Sequence, residues 1–277
     1  MFSVNPKACF GQPPEAELFF TTYANAPTAI DHLYDICEKV FIREGSTEKP
    51  SERLGFFLGR TCVEEFSELA LLAINGYGIG ALKILRTMYE RAIHAAYLLQ
   101  HPTEAELFLN YHVIHKRKAL IHLGKIRDLK SILSEGDLRA IEDEFNRVKA
   151  DYTEVVCNKC GKTRTQGSWS KLDLASMANK VGNGYGELYY DCYYKPTLQT
   201  HTTVTALEAR MTVSDTGVLT SKDGAQRKEA MTALVHGHNL LLKVLETQND
   251  YFQLGLEKEI EERTTELKTA YKPTPSE

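Results

Sequence analysis

Apolar side chains recur every three or four residues along most of this chain, and that period predicts helices. The clearest runs over 79–100, where Leu82, Leu85, Met88, Tyr89, Ala92, Ile93, Ala96 and Leu99 share one broad apolar face. Arg86, Glu90, His94 and Tyr97 follow one another up the other side at helical steps, so their side chains are neighbours. A second strong helix is expected over 51–75, with Leu54, Phe57, Leu58, Cys62, Phe66, Leu69 and Leu72 facing inward. Only Asn75-Gly76-Tyr77-Gly78 separates the two, and Gly76 suits a left-handed helix end. So short a link predicts an antiparallel helical hairpin.

Other segments extend the pattern. Residues 15–44 are helical with an interruption at Pro27, Thr28 capping the second half. His101-Pro102 ends the hairpin, and a long helix is expected over 103–133. Ser134 and Asp137 form a capping box for a helix over 134–156. The stretch CNKCGKTRTQGSWS at 157–170 breaks the periodicity. A brief helix follows over 171–181, then an aromatic-rich segment over 187–194 that Pro196 interrupts. A helix starts again over 197–209, 212–224 reads as an exposed loop or small hairpin, and 226–247 is helical. The expected class is all-α: a multi-helix bundle with a short cysteine-containing loop insertion. Its expected parts are an N-terminal arm and helix (1–50), a core (51–248) carrying the loop at 157–170, and a charged helix and tail (249–277).

Composition narrows the function classes. Apolar residues are 43% of the chain, enough for a real core, and the net charge of −4 argues against coating nucleic acid through bulk charge. A local basic patch on the helix over 103–133, with Lys116, Arg117, Lys118 and Lys125, is a candidate for phosphate contacts, weighed against an ordinary solvated face. No apolar run suffices to cross a bilayer, and the first residues lack a basic leader followed by a long apolar stretch. A cytoplasmic location without a membrane partner is expected. Six scattered cysteines do not make a disulfide scaffold, and Cys37 and Cys62 read as small core residues.

Three constellations carry possible chemistry. Cys157-x-x-Cys160-Gly161 looks like one knuckle of a structural zinc site, which needs two further ligands. Cys192 with a histidine is one completion, and four cysteines shared across a dimer is another. A redox pair lacks a surrounding βαβ pattern, and two unligated thiols are the plain alternative. Arg86, Glu90 and His94 form a phosphate or acid–base site if that face packs inward, and a structural ion pair otherwise. The pairs His112/His115 and His236/His238 suggest a two-metal centre, but Glu90 and His94 stand one residue too far apart for Glu-x-x-His.

Three pieces, in this order, resemble an uncharacterised bacterial all-helical family catalogued only as a domain of unknown function. They are a glycine turn leading into Arg86-x-x-x-Glu90, then Trp169 with Met177, Ala178 and Gly182, then Tyr190, Tyr193 and Tyr194 with Thr197 four positions before His201. Thr197 stands where that family more often has Ser. The resemblance spans roughly residues 55–245, and the family is similar to HEPN helical bundles. That similarity implies a dimer that binds or cleaves RNA without metal, in bacterial antiviral defence or as a toxin. It implies His201 as general base, Arg86 and Lys195 on the phosphate, Glu90 orienting Arg86, and Tyr194 nearby. Lys195 departs from the arginine of the HEPN pattern, giving a point charge in place of a planar fork. A non-catalytic scaffold, with Arg86–Glu90 as an internal strut, is the alternative function, and a small-molecule pocket among Tyr190, Tyr194 and His201 is a third.

Overall fold

A computed structural model describes residues 13–43, 48–221 and 224–274. The expected loose arm and Cys9 lie outside the described residues. The long helices, in chain order, are α1 (Pro13–Thr22), α2 (Ala26–Phe41), α3 (Pro50–Ile74), α4 (Gly78–Gln100), α5 (Ala105–Leu123) and α6 (Glu135–Val148). A hairpin of β1 (Thr153–Cys157) and β2 (Lys162–Thr165) follows, then α7 (Leu174–Val181), α8 (Tyr185–Tyr189), α9 (Lys195–Thr200) and α10 (Val204–Glu208). A second hairpin, β3 (Met211–Val213) and β4 (Leu219–Ser221), precedes α11 (Arg227–Phe252) and α12 (Glu257–Ala270). The protein is mainly α-helical, as the periodicity predicts. Among the described residues no helix is long and apolar enough to cross a membrane.

The chain forms two compact units. Among the described residues, one unit comprises 13–43, 48, 52–100, 174–221 and 224–274; the other comprises 49–51 and 101–173.

In the first unit α3 and α4 make the expected hairpin. Gly76 takes the left-handed conformation at φ 83°. The antiparallel packing brings Cys62 Sγ to the Met88 carbonyl at 3.6 Å, and both Thr87 and Arg91 donate to the buried Glu65 carboxylate. Desolvation raises the pKa of Glu65, against the pull of Thr87 and Arg91. α4 is not one-sided. α11, α7 and α9 pack around it, and Tyr97, placed in the polar row by periodicity, is fully buried. Such a helix is buried almost all round, and its remaining polar row is Arg86, Glu90 and His94.

The second unit has a small aromatic core. Tyr111 and Tyr152 pack edge-on with ring centroids 5.3 Å apart, as do Phe108 and Trp169. Tyr152 Oη donates to the Leu107 carbonyl at 2.6 Å and Tyr111 Oη to the Gln166 carbonyl at 3.0 Å. These bonds satisfy two buried hydroxyls, which would otherwise be costly to bury.

Several boundaries differ from expectation. Asn25, not Thr28, precedes α2, and Pro27 occupies its first turn. α5 stops at Leu123, ten residues short of the expected end, before a turn around 124–128. The Ser134–Asp137 capping box is present, but α6 ends at Val148 because residues 153–157 pair as a strand. The segment 157–170 is therefore largely the turn and return strand of a hairpin.

Candidate functional site

The site is built on a helix that does not break where Pro196 suggests. Proline has no N–H to donate, and its ring collides with the carbonyl four residues back in a regular α-helix. Here α8 and α9 are joined by a π-helical turn over Tyr190–Tyr194, in which the Lys195 N–H reaches the Tyr190 carbonyl, five residues back. The wider turn lets the chain pass Pro196 and stay helical to Thr200. Such turns are rare and frequently sit at functional sites.

The π turn presents two rows. The inner row, Tyr189, Tyr193 and Thr197, faces α4: Tyr89 packs against Tyr189 and Tyr193 at centroid distances of 6.3 and 6.1 Å. Tyr89 itself is fully buried and donates to the Tyr185 carbonyl at 2.8 Å. The outer row, Tyr190 and Tyr194, is stacked at 5.9 Å and 26°, with 60% and 48% of each residue exposed.

Arg86 joins α4 to the inner row. Its Nε donates to Thr197 Oγ1 at 3.0 Å and one terminal nitrogen donates to Tyr193 Oη at 3.1 Å. The other terminal nitrogen lies 3.5 Å from Glu90, a long contact that adds little beyond Coulomb attraction. The guanidinium also sits 4.7 Å from the Tyr193 ring centroid, a cation–π contact. Thr197 Oγ1 donates in turn to the Tyr193 carbonyl at 2.6 Å, so its orientation is fixed. Arg86 keeps a fifth of its side chain open and Glu90 two-fifths.

The remaining expected residues are spread around this centre. His94 lies one turn beyond Glu90, half-buried, and desolvation pushes its imidazole down to about 4. Lys195 and Tyr194 are exposed on the π segment, and His201 is exposed at the end of α9 in extended backbone. Among the described residues His201 makes no side-chain hydrogen bond or ion pair with Arg86 or Glu90. Tyr193, rather than Tyr194 or Tyr190, holds Arg86. The i, i+4 spacing of Tyr193 and Thr197 marks them as a row once the helix is known to continue. From α11, His236 is lowered by burial, with Asp191 opposing and Lys195 reinforcing the shift. It lines a cavity of about 480 Å³ with Leu188, Asn239, Leu267, Lys268 and Tyr271.

The candidate nucleic-acid residues lie in the second unit, and two of the four have partners on α6. Arg117 is bidentate to Glu142, at 2.9 and 3.3 Å, and lies 4.0 Å from the Phe145 ring centroid. Lys116 is 3.9 Å from Glu144. Lys118 donates to Tyr111 Oη and the Gln166 carbonyl. Lys125 is exposed. These acids neutralise much of the stripe locally.

Cys157 and Cys160 stand at the tip of the β1–β2 hairpin. The Cys160 backbone N–H, the Cys160 side chain and the Lys159 N–H hold the Cys157 thiol below its ordinary pKa. Cys192, one expected completion of a metal site, is fully buried, and desolvation raises its thiol. Among the described residues no group of three or more His, Cys, Asp or Glu is placed to hold a metal.

No curated protein and no solved structure matches the chain. Residues 53–218, more than half of the chain and including Arg86, the π turn and His201, match the model of a family of unknown function, DUF5677, and the chain belongs to that family.

Proposed function

We propose that this protein binds single-stranded RNA at the π turn, taking a phosphate on Arg86 and Lys195 and stacking bases on Tyr190 and Tyr194. The observation that carries this reading is the guanidinium held by Tyr193 and Thr197, with Glu90 at 3.5 Å, on a π turn whose other row is two exposed, mutually stacked tyrosines. A guanidinium has five N–H groups, and those three contacts use three of them. The plane is thus set in advance while two donors remain for phosphate oxygens, which suits arginine's bidentate geometry. Exposed aromatic faces next to cations are the usual equipment for gripping single strands. Cleavage is the catalytic extension of this proposal: His201 takes the proton of the 2′-hydroxyl as its oxygen bonds to phosphorus, the P–O5′ bond breaks to leave a 2′,3′-cyclic phosphate, the departing 5′-oxygen takes a proton from water, and Arg86 and Lys195 offset charge on the phosphate. A defence or toxin role follows from the resemblance to HEPN bundles.

The test is binding of a fluorescent RNA oligonucleotide at fixed salt. Each stacked base contributes about 1–3 kcal/mol, so Tyr194→Ala should weaken binding by roughly tenfold or more. The melting temperature should hardly move, because the side chain is exposed. Equal affinity in Tyr190→Ala, Tyr194→Ala and the parent would remove the proposal. For the catalytic extension, His201→Ala should retain binding and lose cleavage.

A second reading has its own support. Arg86 spends its best contacts tying α4 to α9, which is what an internal strut does. In that case Glu90→Gln lowers the melting temperature slightly and no RNA is bound by any variant.

A further inference from the structure

We infer that Cys157 and Cys160 form half of a tetrahedral zinc site, and that a second copy of this chain completes it with the same two cysteines.

The hairpin tip presents both cysteines in one tight turn. β1 and β2 pair in antiparallel register from Thr153↔Thr165 to Val155↔Thr163, and the register then shifts before Cys157↔Lys162. That irregularity brings Cys157 to the mouth of the turn. Gly161 closes the turn in the left-handed conformation at φ 67°, and its N–H donates to the Cys157 carbonyl at 2.9 Å. Cys160 is exposed and Cys157 partly so, whereas Cys37, Cys62 and Cys192 are buried among apolar side chains.

Two thiolates with this spacing supply half of a structural zinc shell, which is almost always four-coordinate. Among the described residues no third protein donor joins the pair. A two-fold axis through the metal would supply the missing pair without any new residue type, because an isologous contact presents the same patch twice. The flanking surface suits such a contact. Val155 and Val156 are 59% and 44% exposed on β1, and an isolated two-stranded hairpin is only marginally stable in water. Four thiolates on one divalent ion leave a net charge of −2, and Lys159 and Lys162 of each copy lie within two residues of a sulfur to offset it.

The experiment is a titration of the reduced, metal-stripped full chain with zinc, and with cobalt as a spectroscopic stand-in. Metal content and solution mass are measured together. The expected result is one metal ion per two chains, a tetrathiolate cobalt spectrum, and a doubling of mass that chelator reverses. Cys157→Ser and Cys160→Ser should each lose all three signatures while keeping the parent's helical circular dichroism. Cys9→Ser should keep them. One metal per monomeric chain, loss of the site in Cys9→Ser, or no metal bound by the reduced parent would each overturn the inference. A chelator-resistant dimer that Cys157→Ser leaves intact would also overturn it, by separating association from the knuckle.

Discussion

Taking the protein from pH 7.5 to pH 4.5 should cost the fold about 5 kcal/mol through two desolvated imidazoles, one buried and one half-buried, a loss set by the acid shift each must resist on folding. His94 and His238 are both pushed down to about 4 by desolvation. His238 shares Nδ1 with Tyr271 Oη at 3.1 Å, packs edge-on against Phe66, and has no partner for Nε2 among the described residues. An unfolded imidazole titrates near 6.5, so between about 6.5 and 4 the unfolded chain binds protons that the native state refuses. Stability contributed by these groups is therefore complete above the unfolded pKa and is lost as the pH falls toward the folded one. Each histidine accounts for about half of that loss at pH 4.5. His236, lowered as well, adds to it, while Glu65, raised by burial, pulls the other way. Urea unfolding across this range gives the slope directly. In His94→Gln/His238→Gln the slope should flatten; an unchanged slope would mean that these rings protonate without unfolding.

Gly78→Ala and Gly80→Ala should move stability in opposite directions. A Cβ on Gly78 would stand 2.3 Å from the Gln226 carbonyl oxygen and 2.4 Å from the Ala230 nitrogen, both backbone atoms of the α11 start. Gln226 knits the two helix starts together: its N–H donates to the Gly76 carbonyl, and its side-chain oxygen accepts from the Ile79 N–H at 3.0 Å. Backbone cannot swing aside as a side chain can, so α11 must move off α4. That should cost about 3 kcal/mol, the upper end for overpacking, and lower Tm by roughly 6–12 °C. At Gly80 the nearest atom is a Leu72 methyl at 3.4 Å, ordinary contact. There alanine removes unfolded-chain freedom within a helix and should add about 0.5–1 kcal/mol. Calorimetry on the pair checks both signs at once. A Gly78→Ala protein that melts with the parent would show that the α4–α11 approach is not a rigid constraint.

The parts of the fold legible in the sequence are those dictated by local geometry. The α3–α4 hairpin needs only two apolar periods and Gly76, and the α6 start needs only Ser134 and Asp137 in register. Burial was less legible where a polar tip rides on an apolar body: Tyr97 sits on the polar side of the helical wheel, yet other helices cover that side too. The hairpin after α6 was hidden because Val155 and Val156 extend an apolar stripe equally well as helix or strand. Within the site, Arg86 and Glu90 are readable as an i, i+4 pair. Tyr193 and Thr197 are not, because their contact with Arg86 spans more than a hundred positions and depends on the helix surviving Pro196. The basic helix looked unpartnered for a related reason: Glu142 and Glu144, which engage Arg117 and Lys116, belong to the next helix along.

The π turn also acts as a phase correction. In an α-helix, positions four apart overshoot one full revolution by about 40°, so a long i, i+4, i+8 line drifts around the cylinder. A wider turn undershoots, and one of each in succession nearly cancels. Tyr189, Tyr193 and Thr197 can therefore line up along a single meridian opposite Tyr89 and Arg86, with Tyr190 and Tyr194 on the adjacent one. With uniform α winding over the same residues, the eight steps from Tyr189 would carry Thr197 about 80° past that line, close to a quarter revolution. The guanidinium could then keep its phenol or its threonine, but not both.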